Sequence, residues 1–132
     1  MITGTCLCGK IEYQAKPIGD LVFNCHCTMC QRSHGAAFAT QAFIDATTLK
    51  FTKGEDLITE YESTVGIRVF CSKCGSRLMN YSRDKKTYAS VAVACTNAKH
   101  TLKPKADCFS ADKIDWCVLD EDLTHFEALP DL

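Results

Sequence analysis

Along this chain, apolar and polar positions alternate over short stretches, and a sustained helical spacing of three and four is rare. Residues 10–13 set Ile11 and Tyr13 against Lys10 and Glu12, directly after Gly9. Residues 67–70 place Ile67 and Val69 on one face and Arg68 and Phe70 on the other. Residues 21–24 and 36–44 are largely apolar runs on either side of a cysteine-rich segment. Residues 49–52 and 57–62 flank Lys53-Gly54-Glu55-Asp56, which reads as a hairpin loop with glycine making the turn. Residues 77–81 and 87–94 flank Ser82-Arg83-Asp84-Lys85-Lys86, a second hairpin, with Val91 and Val93 facing inward. Enrichment in Val, Tyr, Phe and Thr favours strands throughout. The helices expected are short: 28–34, a segment after Thr47 and one before Trp116. The pattern predicts a small, mainly β domain of antiparallel sheet. An α+β domain with a longer C-terminal helix is the alternative.

Composition changes this picture in one respect. A chain of 132 residues, 46% apolar, fits one domain over 1–132 with a core of ordinary size. A net charge of −1, without a basic stripe, argues against nucleic acid as a partner. The opening Met1-Ile2-Thr3-Gly4-Thr5 is not a secretion signal, and no apolar run approaches the about 20 residues of a membrane span. A cytoplasmic protein that does not engage a membrane is expected. The anomaly is ten cysteines. In a reducing compartment they read as metal ligands rather than as a disulfide framework.

Seven of the ten fall in three groups. Cys6-Leu7-Cys8-Gly9 is a Cys-x-Cys pair, Cys25-His26-Cys27-Thr28-Met29-Cys30 a triplet, and Cys71-Ser72-Lys73-Cys74-Gly75 a Cys-x-x-Cys-Gly knuckle. Two residues between cysteines let both sulfurs reach one ion at about 2.3 Å, and the glycine supplies the positive φ of the tight turn. A structural zinc needs four ligands. Cys6 and Cys8 can complete the Cys71–Cys74 knuckle if the N-terminal strand lies beside the Cys71 strand. Arg68, Lys73 and Arg77 bracket that knuckle, either as compensating charge or as a solvated basic face. The triplet offers three thiolates and leaves a fourth position open, the pattern of a reactive zinc. His34, Cys95 or Cys108 could instead close it as a second structural site. His26, wedged between two ligands, is expected to turn its ring away from the ion. Phe23, His26, Arg32 and His34 are candidates to line the site, and Arg32 has the planar fork that fits a carboxylate. Cys95, Cys108 and Cys117 read as small buried hydrophobes.

The order Gly4-Thr5-Cys6-Leu7-Cys8-Gly9, Cys25-His26-Cys27-Thr28-Met29-Cys30-Gln31-Arg32 with Gly35-Ala36, and Arg68-Val69-Phe70-Cys71-Ser72-Lys73-Cys74-Gly75-Ser76 resembles the glutathione-dependent formaldehyde-activating enzyme family, whose domain centromere protein V shares. Trp116 and Leu129-Pro130 resemble that family's ending. The resemblance implies a β-tent (Mss4-like) fold stabilised by zinc, with two zinc ions per chain. It assigns Cys6, Cys8, Cys71 and Cys74 to a structural zinc and Cys25, Cys27 and Cys30 to a catalytic one, with His26 and Arg32 as further candidates. It implies a carbon–sulfur lyase joining glutathione and formaldehyde to S-(hydroxymethyl)glutathione. A small-molecule thiol and an aldehyde are then the expected partners. A non-catalytic zinc-binding or glutathione-binding module of the same fold is the other reading. Many members carry a His-Ile-Phe-like run where this chain has Asp107-Cys108-Phe109, which removes one possible substrate contact or proton carrier.

Overall fold

The computed structural model describes residues 1–129, so Pro130 of the family-like ending lies outside the described residues. Its elements are β1 (Ile2–Thr5), β2 (Glu12–Ala15), β3 (Pro17–Cys25), α1 (Thr28–His34), β4 (Ala39–Ile44), β5 (Lys50–Lys53), β6 (Ile58–Glu62), β7 (Ile67–Cys71), β8 (Arg77–Tyr81), β9 (Ala89–Ala92), β10 (Ala106–Cys108) and β11 (Thr124–His125). A three-stranded sheet runs β1-β2-β5, and an eight-stranded sheet runs β11-β10-β3-β4-β9-β8-β7-β6. The fold is mainly β, as the alternation predicts. Pairing is antiparallel except at one edge, where β10 lies parallel to both β3 and β11. The long connection after β9 brings the chain back to that edge, which local patterning does not reveal.

The main core lies between the two sheets. Ile2, Ile11, Tyr13 and Ala15 come from the small-sheet side, and Ala42, Ile44, Val69, Met79 and Val91 from one face of the large sheet; all are buried. Ile67 and Val69 share that face, as expected, and β8 and β9 form the expected hairpin. Val93 is also buried, although β9 ends at Ala92 and Val93–Cys95 forms a 3-10 turn. The helix at Thr28–His34 is present, but the other two expected helices are single 3-10 turns at Ala46–Thr48 and Ser110–Asp112. The α+β alternative therefore fails over the described residues.

The hairpin expected around Gly54 does not form. β5 pairs with β2 in the small sheet, whereas β6 pairs with β7 in the large one, so Gly54 sits at a crossover between layers. A glycine turn signal marks a change of direction but not whether the flanking strands pair. Gly54 has φ +71°, and a Cβ there would lie 2.0 Å from the Lys10 carbonyl oxygen. Both the conformation and the close approach exclude a side chain. Gly54→Ala is expected to destabilise the protein by roughly 2–4 kcal/mol in a urea melt. It should also loosen the chain just after Cys8, because Lys10 is the backbone it would displace.

The large sheet's second face carries the chemistry. Phe23 and Cys25 on β3 alternate with core-facing Val22, and Ala39, Gln41 and Phe43 on β4 alternate with Ala42 and Ile44. Register carries this face onward from Gln41 opposite Ala92, to Ser90 opposite Asn80, to Asn80 opposite Arg68. Strict alternation would send Arg77 to the core side with Met79 and Tyr81. A bulge between Val69 and Phe70 instead sets Phe70 opposite Arg77 and leaves Leu78 and Met79 both buried. Arg77 is thereby re-aimed onto the face of Arg68 and Asn80, a common use of a bulge.

Candidate metal centre

Two cysteine clusters form, and their memberships match the sequence grouping. The sulfurs of Cys6, Cys8, Cys71 and Cys74 all lie within 4.8 Å of one another. Four sulfurs held tetrahedrally at about 2.3 Å from one zinc would be about 3.8 Å apart. Cys6 Sγ to Cys8 Sγ is 3.5 Å and Cys8 Sγ to Cys71 Sγ is 3.9 Å, so the donor set fits a closed site. The expected strand adjacency is not what builds it, since β1 and β7 belong to different sheets. Two turns meet instead. Gly9 N donates to Cys6 O and Gly75 N to Cys71 O, both glycines have positive φ, and Leu7 N donates to Ser76 Oγ across the gap. The amides of Ile11 and Lys73 donate to the sulfurs of Cys6 and Cys71. Hydrogen bonds from the Ser76 side chain and backbone lower the Cys74 thiol to about 5, which favours the ligating thiolate.

Cys25, Cys27 and Cys30 converge on the opposite face. Cys25 ends β3, Cys27 caps α1 and Cys30 lies one turn in. The Cys27 sulfur accepts from the Cys30 amide at 3.3 Å, and Gly35 in the left-handed region closes the helix. A three-residue spacing across a helical cap puts both sulfurs on one side, and the strand end supplies the third. All three sulfurs lie within 4.8 Å of one another. No fourth His, Cys, Asp or Glu atom joins the set among the described residues, so His34, Cys95 and Cys108 do not close it. Cys25 and Cys30 are buried and Cys27 is half-buried, the side from which a ligand would arrive. Crowding separates the thiols. Hydrogen bonds from Cys25 and then Cys30 hold Cys27 well below the ordinary thiol range, aided by Arg68, while Cys27, Cys30 and burial push Cys25 up. Such a set is suited to a cation that replaces the shared protons.

His26 is fully buried, and its ring turns away from the sulfurs, as expected. Nε2 donates to Asp107 Oδ1 at 2.8 Å, and the ring packs 5.0 Å from Phe38. Asp107, itself buried, lies 3.3 Å from His125 through its other oxygen. Asp107 thus holds the histidine between two sulfurs from 81 residues away. Gln31 adds a second tie, donating from Nε2 to the carbonyls of His26 and Asp112. Asp107→Ala would leave the buried imidazole without its partner. A loss of about 1–3 kcal/mol in stability is expected, with metal affinity at the triplet falling about 10- to 100-fold in a competitive chelator titration.

The bracketing cations behave differently from the sequence expectation. Lys73 is exposed, but Arg68 and Arg77 turn to the triplet rather than to the knuckle. Arg68 presents NH1 and NH2 to Cys30 Sγ, each at 3.8 Å. Arg77 donates to Ser33 Oγ, to the Val69 carbonyl and to Asn80 Oδ1, the last at 2.8 Å. Burial and then Arg68 lower the Arg77 guanidinium to about 10, so it stays charged at neutral pH. Burial, Arg77 and Arg68 lower His34 to about 4, leaving its imidazole neutral. Arg32 is exposed on the outside of α1. Phe23 packs 5.2 Å from Phe43 and borders the triplet. A cavity of about 630 Å³ lies elsewhere, lined by Cys6, Tyr13, Cys95 and Thr96, and includes no triplet residue.

The description "Glutathione-dependent formaldehyde-activating enzyme" matches residues 1–112. The chain belongs to that family. The seven cysteines that define the two clusters all fall within the matched span, and so do Arg68, Arg77, His26 and Asp107. No curated protein matches the chain. Among solved structures it is similar to a crystal structure of a Rhodobacter sphaeroides protein, at 26% identity over 70% of this chain and 85% of that one, with a TM-score of 0.61.

Of the remaining cysteines, Cys108 is buried opposite Cys25 in the parallel β3–β10 register, and Cys117 is buried. Cys95 is only half-buried and donates to the Arg77 carbonyl oxygen at 3.6 Å. None of the ten forms a disulfide. Arg68, Asp107 and Gln31 were not among the triplet's predicted neighbours. A charged residue inside an alternating strand was a signal for Arg68, whereas Asp107 reaches the loop only through the parallel return of β10. Among the described residues, no helix is long and apolar enough to cross a membrane.

Proposed function

We propose that the protein is a zinc-dependent carbon–sulfur lyase-type enzyme that joins glutathione and formaldehyde to S-(hydroxymethyl)glutathione. The observation that carries this reading is the three-sulfur cluster of Cys25, Cys27 and Cys30, which has no fourth protein ligand among the described residues. Cys6, Cys8, Cys71 and Cys74 hold a structural zinc in this reading. Family membership supports the substrate pair. A zinc ion at the triplet would supply a place where a substrate thiol is held as its more nucleophilic thiolate. The chain's own contribution is positional. β3 and the α1 cap fix the three sulfurs, Asp107 and Gln31 fix the loop between them, and Arg68 places positive charge on Cys30. In the net reaction a sulfur–carbon bond forms as the aldehyde's carbon–oxygen π bond breaks. The proton lost from sulfur is matched by the one gained on the new hydroxyl oxygen. Three thiolates outweigh a zinc ion's formal charge, which makes carbonyl polarisation the weaker role and thiol holding the stronger one.

Exchange NMR on a mixture of glutathione and formaldehyde tests the reaction. Micromolar protein with two zinc ions bound should accelerate adduct formation above the uncatalysed exchange. An unchanged exchange rate with both metals present would exclude this reaction.

A further inference from the structure

The two arginines over the triplet are more charge than three thiolates and one zinc require. Taking the proposed zinc at the triplet, on which this inference rests, a divalent ion with three thiolates carries one negative charge. Arg68, with both terminal nitrogens on Cys30 Sγ, balances it. Arg77 is then a surplus cation. Its three donor nitrogens go to neutral acceptors, the Ser33 hydroxyl, the Val69 carbonyl and the Asn80 amide oxygen. Among the described residues, no carboxylate pairs within 4.0 Å of either arginine. Asp107, the buried carboxylate beside the loop, hydrogen-bonds His26 through Oδ1 and forms no ion pair with either arginine, while His125 Nε2 hydrogen-bonds the Asp120 carbonyl. His34, four residues beyond Cys30, is neutral.

Arg77 is half-buried, and withdrawing an unbalanced guanidinium even partly from water is costly unless an anion compensates it. The β8 bulge that turns Arg77 away from the core side shows that this placement is specific to the site face. The closed cluster is the internal control. Four thiolates there would leave two negative charges, yet backbone amides, Ser76 and solvent at exposed Cys8 serve it, and no arginine contacts its sulfurs. Arginine is therefore not a general accompaniment of sulfur ligands in this protein.

We propose that Arg77 is a positioning residue that sets the charge of the triplet so that its fourth position selects an anionic ligand, a thiolate, over a neutral one. A thiolate brings the cluster and its two arginines to zero net charge, whereas a neutral ligand leaves one positive charge half-buried and unbalanced. Arg77 acts through the field it imposes and touches no ligand, because its hydrogen bonds already lock it in place.

The test uses the full chain loaded with cobalt, whose sulfur-to-metal absorption reports on the coordination shell. The protein is titrated with 2-mercaptoethanol, which has no carboxylate, and separately with imidazole, which binds neutral. Arg77→Gln should weaken thiol binding about ten- to thirtyfold and leave imidazole binding within about twofold of wild type. Arg77→Lys, which keeps the charge, should restore thiol affinity to within about threefold. Asn80→Asp gives a second route that preserves shape, since it places a carboxylate on the Arg77 guanidinium and should weaken thiol binding in the same direction. Equal losses for thiol and imidazole, or unchanged thiol affinity in both Arg77→Gln and Asn80→Asp, would overturn the proposal. Wild type retaining one metal per chain would instead defeat the reading of the triplet as a metal centre, and this inference with it. Two metals with no thiol selectivity would defeat the role of Arg77 alone.

Discussion

Cys74→Ser is expected to abolish the stable fold. The residue sits outside the strands, and its side chain is only partly buried, so a serine of similar size would ordinarily cost little. The expectation comes from what the closed cluster joins. Cys6 and Cys8 belong to the turn between β1 and β2, Cys71 ends β7, and Cys74 lies in the turn that follows it before β8. These turns come from separate sheets, and the contacts between them outside the cluster include one hydrogen bond from Leu7 to Ser76. Binding of a structural zinc contributes roughly 10–16 kcal/mol to folding in small zinc domains. The net stability of a domain is about 5–15 kcal/mol. Losing one of four ligands removes much of the first quantity and so consumes most or all of the second. Circular dichroism should show a melt near or below room temperature, or precipitation on expression. Incubating wild type with a strong chelator should give the same state, and returning zinc should reverse it. A Cys74→Ser protein that melts within a few degrees of wild type would show that the two sheets hold together without this cluster.

Cys27→Ser is expected to do the opposite, removing chemistry while sparing the fold. Cys27 is the cap of α1, and its sulfur accepts from the Cys30 amide. Serine is among the best capping residues, so the local hydrogen bond survives. The triplet belongs to a small cluster of Cys25, Cys30 and Ala39, apart from the main core between the sheets. Bound zinc should fall from two ions to one per chain, with the melting temperature shifted by only a few degrees. Acceleration of the glutathione–formaldehyde exchange should disappear, because two sulfurs no longer hold a metal in an open three-ligand shell. If Cys27→Ser and Cys74→Ser behave alike, the division into a closed structural and an open reactive site is wrong.

Much of the candidate site could be read from the sequence, because metal ligation depends on local spacing. Two cysteines with two residues between them, or a cap and the residue three beyond it, come together through one turn of backbone, and the turn's geometry depends on a few neighbouring residues such as Gly75 and Gly35. The fold class was also readable, since alternation over four or five residues reports which face is buried. The misreadings share one cause. Gly54 signals a turn equally well whether β5 and β6 pair with each other or leave for different sheets. Arg77 looked like a neighbour of the knuckle because it follows Cys74 by three positions, and a bulge at Leu78 decided otherwise. Arg32, the carboxylate contact expected beside the triplet, lies exposed on the outside of α1, and that placement depends on how the helix packs.

The sequence by itself determined which sulfurs could share an ion and that the chain would build strands around them, because both follow from interactions within a few residues. The tertiary structure alone decided that the clusters sit on different faces of one sheet system. It also brought Asp107 back along a parallel β10 to hold His26, and turned Arg68 and Arg77 over the open cluster. Those outcomes depend on strand order, register and one bulge. Each is set by how distant segments bury apolar surface together, a property of the whole chain that no short window of it contains.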